Sequence, residues 1–121
     1  MVSQPEDYSQ VSKELLEKAS QALREGDLIQ ASEKGWGAAA QMTKAIAEKR
    51  GWDHRSHHAL FQVIDQIVQE AGDPRIRDLF QIANSLHTNF YEHWMTSSHV
   101  EGGLERIREL VERLERISGR Q

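Results

Sequence analysis

Apolar residues recur every three or four positions along the chain, in five separate stretches, and nowhere alternate in the period-two pattern of a half-buried strand. The spacing predicts a first helix over about Pro5–Glu25, with Tyr8, Val11, Leu15, Ala19, Ala22 and Leu23 as its inner stripe. Ser3 and Glu6 have the spacing of a capping box at its start. Gly26 fits the left-handed stop, and Asp27 the cap of a second helix over about Leu28–Arg50. That helix is lined by Leu28, Ala31, Ala38, Ala39, Met42, Ala45 and Ile46. It also carries Gly35 and Gly37, and glycine inside a helix costs about 1 kcal/mol relative to alanine, so this face is expected to be approached closely by another helix.

Gly51 and Asp53 read as the next stop and cap, followed by a third helix over about His54–Ala71 with Leu60, Phe61, Ile64, Ile67, Val68 and Ala71 inward. Gly72, Asp73 and Pro74 then form a stop, an N-cap and a first helical residue. The fourth helix spans about Pro74–Met95 on Ile76, Leu79, Phe80, Ala83, Leu86 and Phe90, with a bend expected among the weak helix formers between Asn84 and Asn89. Ser98 and Glu101 have capping-box spacing before a last helix on Val100, Leu104, Ile107, Val111, Leu114 and Ile117. Its Glu109/Arg113 and Glu112/Arg116 pairs read as a solvated outer face.

Connections this short make successive helices antiparallel neighbours. The expected fold is all-α: one domain over residues 1–121, an up-and-down antiparallel bundle of four to five helices. At 121 residues the chain can bury a core of ordinary size. It has no Cys, which excludes disulfides, thiolate metal sites and a Cys nucleophile. Its apolar runs are too short for a membrane span or a secretory leader, so a cytoplasmic protein is expected. A net charge of −4 argues against coating DNA.

Charge and chemistry are unevenly placed. Lys44, Lys49, Arg50 and Arg55 face only Glu48 and Asp53 between Gln41 and His58, a local positive excess in an acidic chain. Five of the six histidines lie close by or late in the fourth helix: His54, His57, His58, His87 and His93. Counting outward from the two turns at equal rise brings His58 level with His87, His54 level with Tyr91, and Arg50 opposite His54. These residues should therefore share one end of the bundle and suit an anion such as phosphate or RNA. His54 and His58 have i, i+4 spacing that can chelate a metal. No Glu is followed three residues later by His, so a carboxylate-bridged di-iron bundle is excluded. No Gly-x-Ser-x-Gly elbow is present to support a serine hydrolase. The expectation is that no metal or other cofactor is needed.

The run Ala31-Ser32-Glu33-Lys34-Gly35-Trp36-Gly37-Ala38-Ala39-Ala40, continued by Lys44-Ala45-Ile46-Ala47 and Arg50-Gly51, resembles the second helix of HEPN-superfamily bundles. The later run Ala83-Asn84-Ser85-Leu86-His87-Thr88-Asn89-Phe90-Tyr91-Glu92 resembles a second hallmark of the small paREP-like branch. The resemblance implies a compact helical bundle, often a homodimer. Some relatives are metal-independent ribonucleases or toxins paired with a nucleotidyltransferase, and others are non-catalytic RNA- or nucleotide-binding modules. Catalytic relatives carry an Arg, commonly with a polar residue after it, and a His a few residues on. Asn89 and His93 fit the later positions of that motif, but Thr88 stands where the Arg is expected. Arg50 and His57 match the Arg–His spacing but straddle a helix corner.

The leading expectation is thus a non-catalytic HEPN-like module that binds RNA or a nucleotide. Lys49 and Arg50 would hold phosphate, and His54, His57, His58 and His87 would hydrogen-bond to it, more strongly when protonated below about pH 6.5. Tyr91 is a candidate stacking side chain; with Trp94 it also reads as a core or dimer contact. The alternatives are an endoribonuclease using Arg50 and His57, or Asn89 and His93, and a purely structural homodimeric interaction protein.

Overall fold

Among the described residues five helices form: α1 (Pro5–Arg24), α2 (Leu28–Arg50), α3 (His57–Ala71), α4 (Arg75–Glu92) and α5 (Ser97–Ser118). The computed structural model describes residues 4–119, and among them there is no strand. The architecture is the expected all-α bundle, but it is not up-and-down throughout: α3 runs parallel to α2, starting beside Trp36 and ending beside Arg50.

Its helix ends follow local chemistry, several of them at residues other than those expected. Asp27 caps α2 by accepting from Gln30 N at 3.1 Å. The α1 start expected at Ser3 lies outside the described residues; Gln4 N donates to Asp7 Oδ2 at 3.2 Å instead. Helix α3 does not begin at His54 with an Asp53 cap. It begins at His57, with Ser56 Oγ accepting from Ala59 N at 3.0 Å, while Asp53 is taken by Arg55. Helix α5 is capped by Thr96 rather than Ser98. Pro74 is the residue before α4 rather than inside it, a shift of one position.

No loosened turn interrupts α4 between Asn84 and Asn89; the helix runs unbroken to Glu92. The weak formers are absorbed by other bonds. Ser85 Oγ donates to Ile82 O at 2.6 Å and Thr88 Oγ1 to Asn84 O at 3.3 Å, while Asn89 turns into the core.

Helix α2 is the hub and packs against each of the other four. The small-residue face predicted for it explains how. A Cβ built on Gly35 would lie 2.5 Å from Leu104 Cδ2, so a side chain at position 35 would force the tip of Leu104 to shift. Gly103 on α5 gives the matching clearance to Leu86 on α4, whose side-chain carbons would lie from 3.1 Å away. On the other side, Ser12 Oγ donates to Ala38 O at 2.6 Å and draws α1 onto α2. The buried line of α1 therefore runs through Ser12, Leu16, Ala19 and Ala22, and Val11, expected inside, is 40% exposed. The core is filled by Phe80, Met42, Ile46, Ile64, Ile76, Leu79 and their neighbours, each contributing about 1.5–3 kcal/mol by burial.

The outer face of α5 does more than contact solvent. Glu109 accepts from Arg113 Nε at 2.9 Å and from Arg75 Nη2 at 2.8 Å, and Arg113 Nη1 donates to Asp73 at 2.7 Å. The α3–α4 turn is thereby tied to α5. The Arg75 hydrogen bond, more than that of Arg113, holds the Glu109 carboxyl down at about 2. Among the described residues no helix is long and apolar enough to cross a membrane.

The connection between α2 and α3 positions the candidate site. Residues 51–56 form no helix. Fourteen helical steps separate Trp36 from Arg50, a rise of about 21 Å, which the non-helical residues 51–56 retrace. The segment runs back along α2, so α3 starts level with Trp36 and not beside Arg50.

Candidate functional site

Three rings meet where α2, α3 and α4 converge. The Trp36 indole and the His57 imidazole stack at 5.0 Å between centroids with planes 13° apart. His57 and His87 stack at 4.8 Å and 29°. His87 closes the triangle at 5.1 Å from Trp36. Trp36 is buried and backed by Phe80 at 5.5 Å, so the platform rests on the core. Tyr91, one turn beyond His87 on α4, meets His87 edge-on at 5.3 Å and is 67% exposed. Edge-to-face and offset-stacked pairs at such distances are favourable arrangements of aromatic quadrupoles.

Beside the platform lies an open hollow of about 180 Å³, lined along α2 by Trp36, Ala40 and Lys44, and along the returning chain by His54, Arg55, Ser56 and His57. The antiparallel run of the two segments explains the pairing: Lys44 faces the region of His54 and Arg55, and Trp36 faces His57. The surrounding carboxylates are largely committed. Glu33 Oε1 lies 3.0 Å from His87 Nδ1, and Glu48 Oε2 lies 2.7 Å from His54 Nε2, distances at which a ring N–H donates to the carboxylate. Asp53 accepts from both Arg55 N and Arg55 Nε, and those bonds hold its carboxyl below the usual range. Lys44, which lines the hollow, has no hydrogen-bond or ion-pair partner among the described residues. Among the described residues no three His, Asp or Glu side chains converge to hold a metal ion.

The family model described as the archaeal PaREP1/PaREP8 family matches residues 7–111. The chain belongs to that family. A crystal structure of a Sulfolobus solfataricus protein superimposes on this PaREP chain with a TM-score of 0.78, covering 88% of this chain and 94% of the other at 24% identity. At that identity the likeness shows the shared fold. No curated protein matches the chain.

The sequence-derived candidates fall into two groups on the PaREP bundle. His57, His87 and Tyr91 are brought together, and His54 lines the adjoining hollow. It is His57 that meets His87, whereas equal counting had put His58 there; His58 is exposed to solvent. Because His54 lies before α3, it does not form the i, i+4 helical pair with His58 that chelation would use. Lys49 and Arg50 sit at the far end of α2. Lys49 Nζ donates to Ser118 O, and Arg50 pairs with Glu70 and lies 5.1 Å over the Trp52 ring.

Asn89 is fully buried with its amide spent. Its Nδ2 donates to Ser32 Oγ at 2.9 Å, and its Oδ1 accepts from Trp94 N and Met95 N at 2.9 and 2.8 Å. His93 is exposed in the left-handed region at φ 59°, and its N–H donates to Asn89 O at 2.8 Å to end α4. The platform's Trp36 and Glu33 are not among the candidates read from the sequence. Their signal was present: Glu33, Trp36, Ala40 and Lys44 follow an i, i+3, i+7, i+11 stripe along one face of α2.

Proposed function

We propose that this PaREP protein is a non-catalytic module, HEPN-like in superfamily, that binds RNA or a nucleotide at the Trp36–His57–His87 platform. The observation that carries the reading is the juxtaposition of an aromatic and imidazole platform, with a mostly exposed Tyr91 at its rim, and a hollow lined by the unpaired Lys44. A base stacks on a ring platform at about 1–3 kcal/mol per base, and a phosphate finds the cation beside it. The phosphate-holding role passes from Lys49 and Arg50, which are engaged elsewhere, to Lys44, with Arg55 and His54 as secondary donors. The absence of cleavage is supported by Thr88 in the motif position that wants Arg, and by the fully used amide of Asn89. Fluorescence anisotropy with short single-stranded RNAs tests the reading. Saturable binding that weakens with salt and falls in Lys44→Gln and Tyr91→Ala is expected; no salt-dependent binding at about pH 6 removes it.

A second reading is favoured by one observation. Tyr91 at 67% and Trp94 at 65% exposure, next to the half-buried Phe90 and Met95, leave apolar surface in the open around the end of α4. Such a patch suits a homodimer contact. Sedimentation of the purified protein as a dimer, with a Trp94→Ser variant shifted to monomer, is the expected result for that reading.

A further inference from the structure

We infer that the ligand is single-stranded RNA at least two nucleotides long, with one base at the platform, the next in a second hollow against Trp52, and the linking phosphate on Arg55. This rests on the function proposed above and names the form its ligand takes. The second hollow, of about 360 Å³, has twice the volume of the one beside Lys44. Its floor is the buried Ala59 and Val63, its wall the half-buried Trp52, and its rim Asp53, Gln62 and Gln66. Ala59, Gln62, Val63 and Gln66 follow i, i+3, i+4, i+7 spacing, so one face of α3 supplies one side and residues 51–53 the other. Arg50, itself paired with Glu70, lies 5.1 Å over the Trp52 ring and steadies it without lining the hollow.

An apolar floor, an indole and two amides suit a nucleobase. Every base has a π-face to lay on an aromatic ring, and glutamine amides both donate to and accept from base edges. Gln62 and Gln66 are exposed, with no hydrogen-bond partner for either amide among the described residues. The two hollows adjoin along the chain, since residues 51–53 line one and His54 to His57 the other. Arg55 stands at that junction, and its side chain is 88% exposed. Its N and Nε donate to Asp53 Oδ1 at 3.1 and 2.9 Å, while Nη1 and Nη2 have no partner among the described residues. Asp53 therefore has its charge offset and holds the guanidinium with its outer nitrogens open to the phosphate between two bases. A mononucleotide fills one hollow only, and goes to the platform, where Lys44 meets its phosphate. A duplex fills neither, because its bases are stacked and paired.

Isothermal titration of the full chain with uridine monophosphate, diuridylate, tetrauridylate and an RNA duplex tests this. Affinity should rise about ten- to a hundredfold from the monophosphate to the oligouridylates, with the duplex weakest. Trp52→Ala should lose most of that gain while binding the monophosphate as the unaltered chain does. The double variant Gln62→Ala/Gln66→Ala, at exposed positions, should do the same and decides the matter if Trp52→Ala fails to fold. Arg55→Gln should lower the salt slope of tetrauridylate binding by about one. Tetrauridylate binding no tighter than the monophosphate, a duplex binding as well as the single strand, or a length gain that survives in the glutamine double variant overturns this inference and leaves the platform reading standing. Absence of binding by all four ligands removes the platform reading and this inference together.

Discussion

Two polar clusters lie close to one another on α4 and could not differ more in how their hydrogen bonds are spent. At Asn89 both ends of the amide are used inside the core: one on Ser32 of α2, the other on the backbone of Trp94 and Met95, which it holds in the turn to α5. Two positions before it on the same helix, the half-buried His87 stacks with the exposed His57 over the buried Trp36. The residue types at both places are those that chemistry uses. Burial and saturation separate them: a buried, fully satisfied amide holds a fold together, while a partly exposed platform beside an unpaired cation has capacity left for a ligand.

The largest expected effect breaks the first cluster. Asn89→Ala leaves the N–H groups of Trp94 and Met95 without their buried acceptor and should cost about 2–4 kcal/mol in urea unfolding. By the same measurement Tyr91→Ala, at an exposed position, should change stability by less than about 0.5 kcal/mol. Its effect belongs to binding, where loss of a stacking surface worth about 1–3 kcal/mol weakens RNA affinity roughly ten- to a hundredfold. If Tyr91→Ala unfolded the protein and Asn89→Ala did not, the contrast between the two clusters would be reversed.

A third comparison uses the ion network between the α3–α4 turn and α5. The folded-state carboxyl of Glu109 sits at about 2, below its ordinary value of 4.5, because Arg75 and then Arg113 bond to its charged form. A depressed carboxyl contributes stability that is fully present above its unfolded value and is lost as pH falls toward the folded one. Urea midpoints should therefore drop between about pH 4.5 and about pH 2, and Glu109→Gln should flatten that part of the profile. The smallest effect is a gain. Gly102 lies inside α5 with nothing near the position of a Cβ, so Gly102→Ala should stabilise by up to about 1 kcal/mol in the same assay.

Much of the fold was legible because periodicity and glycine placement report the same thing. The stripes of α2, α4 and α5 were close to the buried sets found, and Gly35 foretold the close approach of α5. Errors arose where tertiary bonds outweighed local signals. Ser12 is buried because its hydroxyl reaches the Ala38 carbonyl, and no apolar pattern announces a serine inside. The weak formers of α4 keep the helix because Ser85 and Thr88 bond back to it and Asn89 is anchored from α2. The site was legible in composition more than in position. Equal counting about the turn at Gly72 and Asp73 matched His58 with His87, and a tight turn assumed at Gly51 placed Arg50 opposite His54. The non-helical residues 51–56 move the start of α3 back along α2 and replace Arg50 with Lys44 as the cation at hand. That shift comes from Ser56 acting as the cap in place of Asp53, a choice between two good capping residues that propensity does not decide.

The central claim is that the Trp36–His57–His87 platform receives a ligand. The most direct measurement is an NMR titration of the isotope-labelled chain with oligouridylate, following the indole of Trp36 and the imidazoles of His57 and His87. The account predicts saturable shifts centred on those rings, Tyr91 and Lys44, with the Asn89 amide little changed. Saturable shifts gathered elsewhere on the bundle, with the platform resonances still, would contradict it.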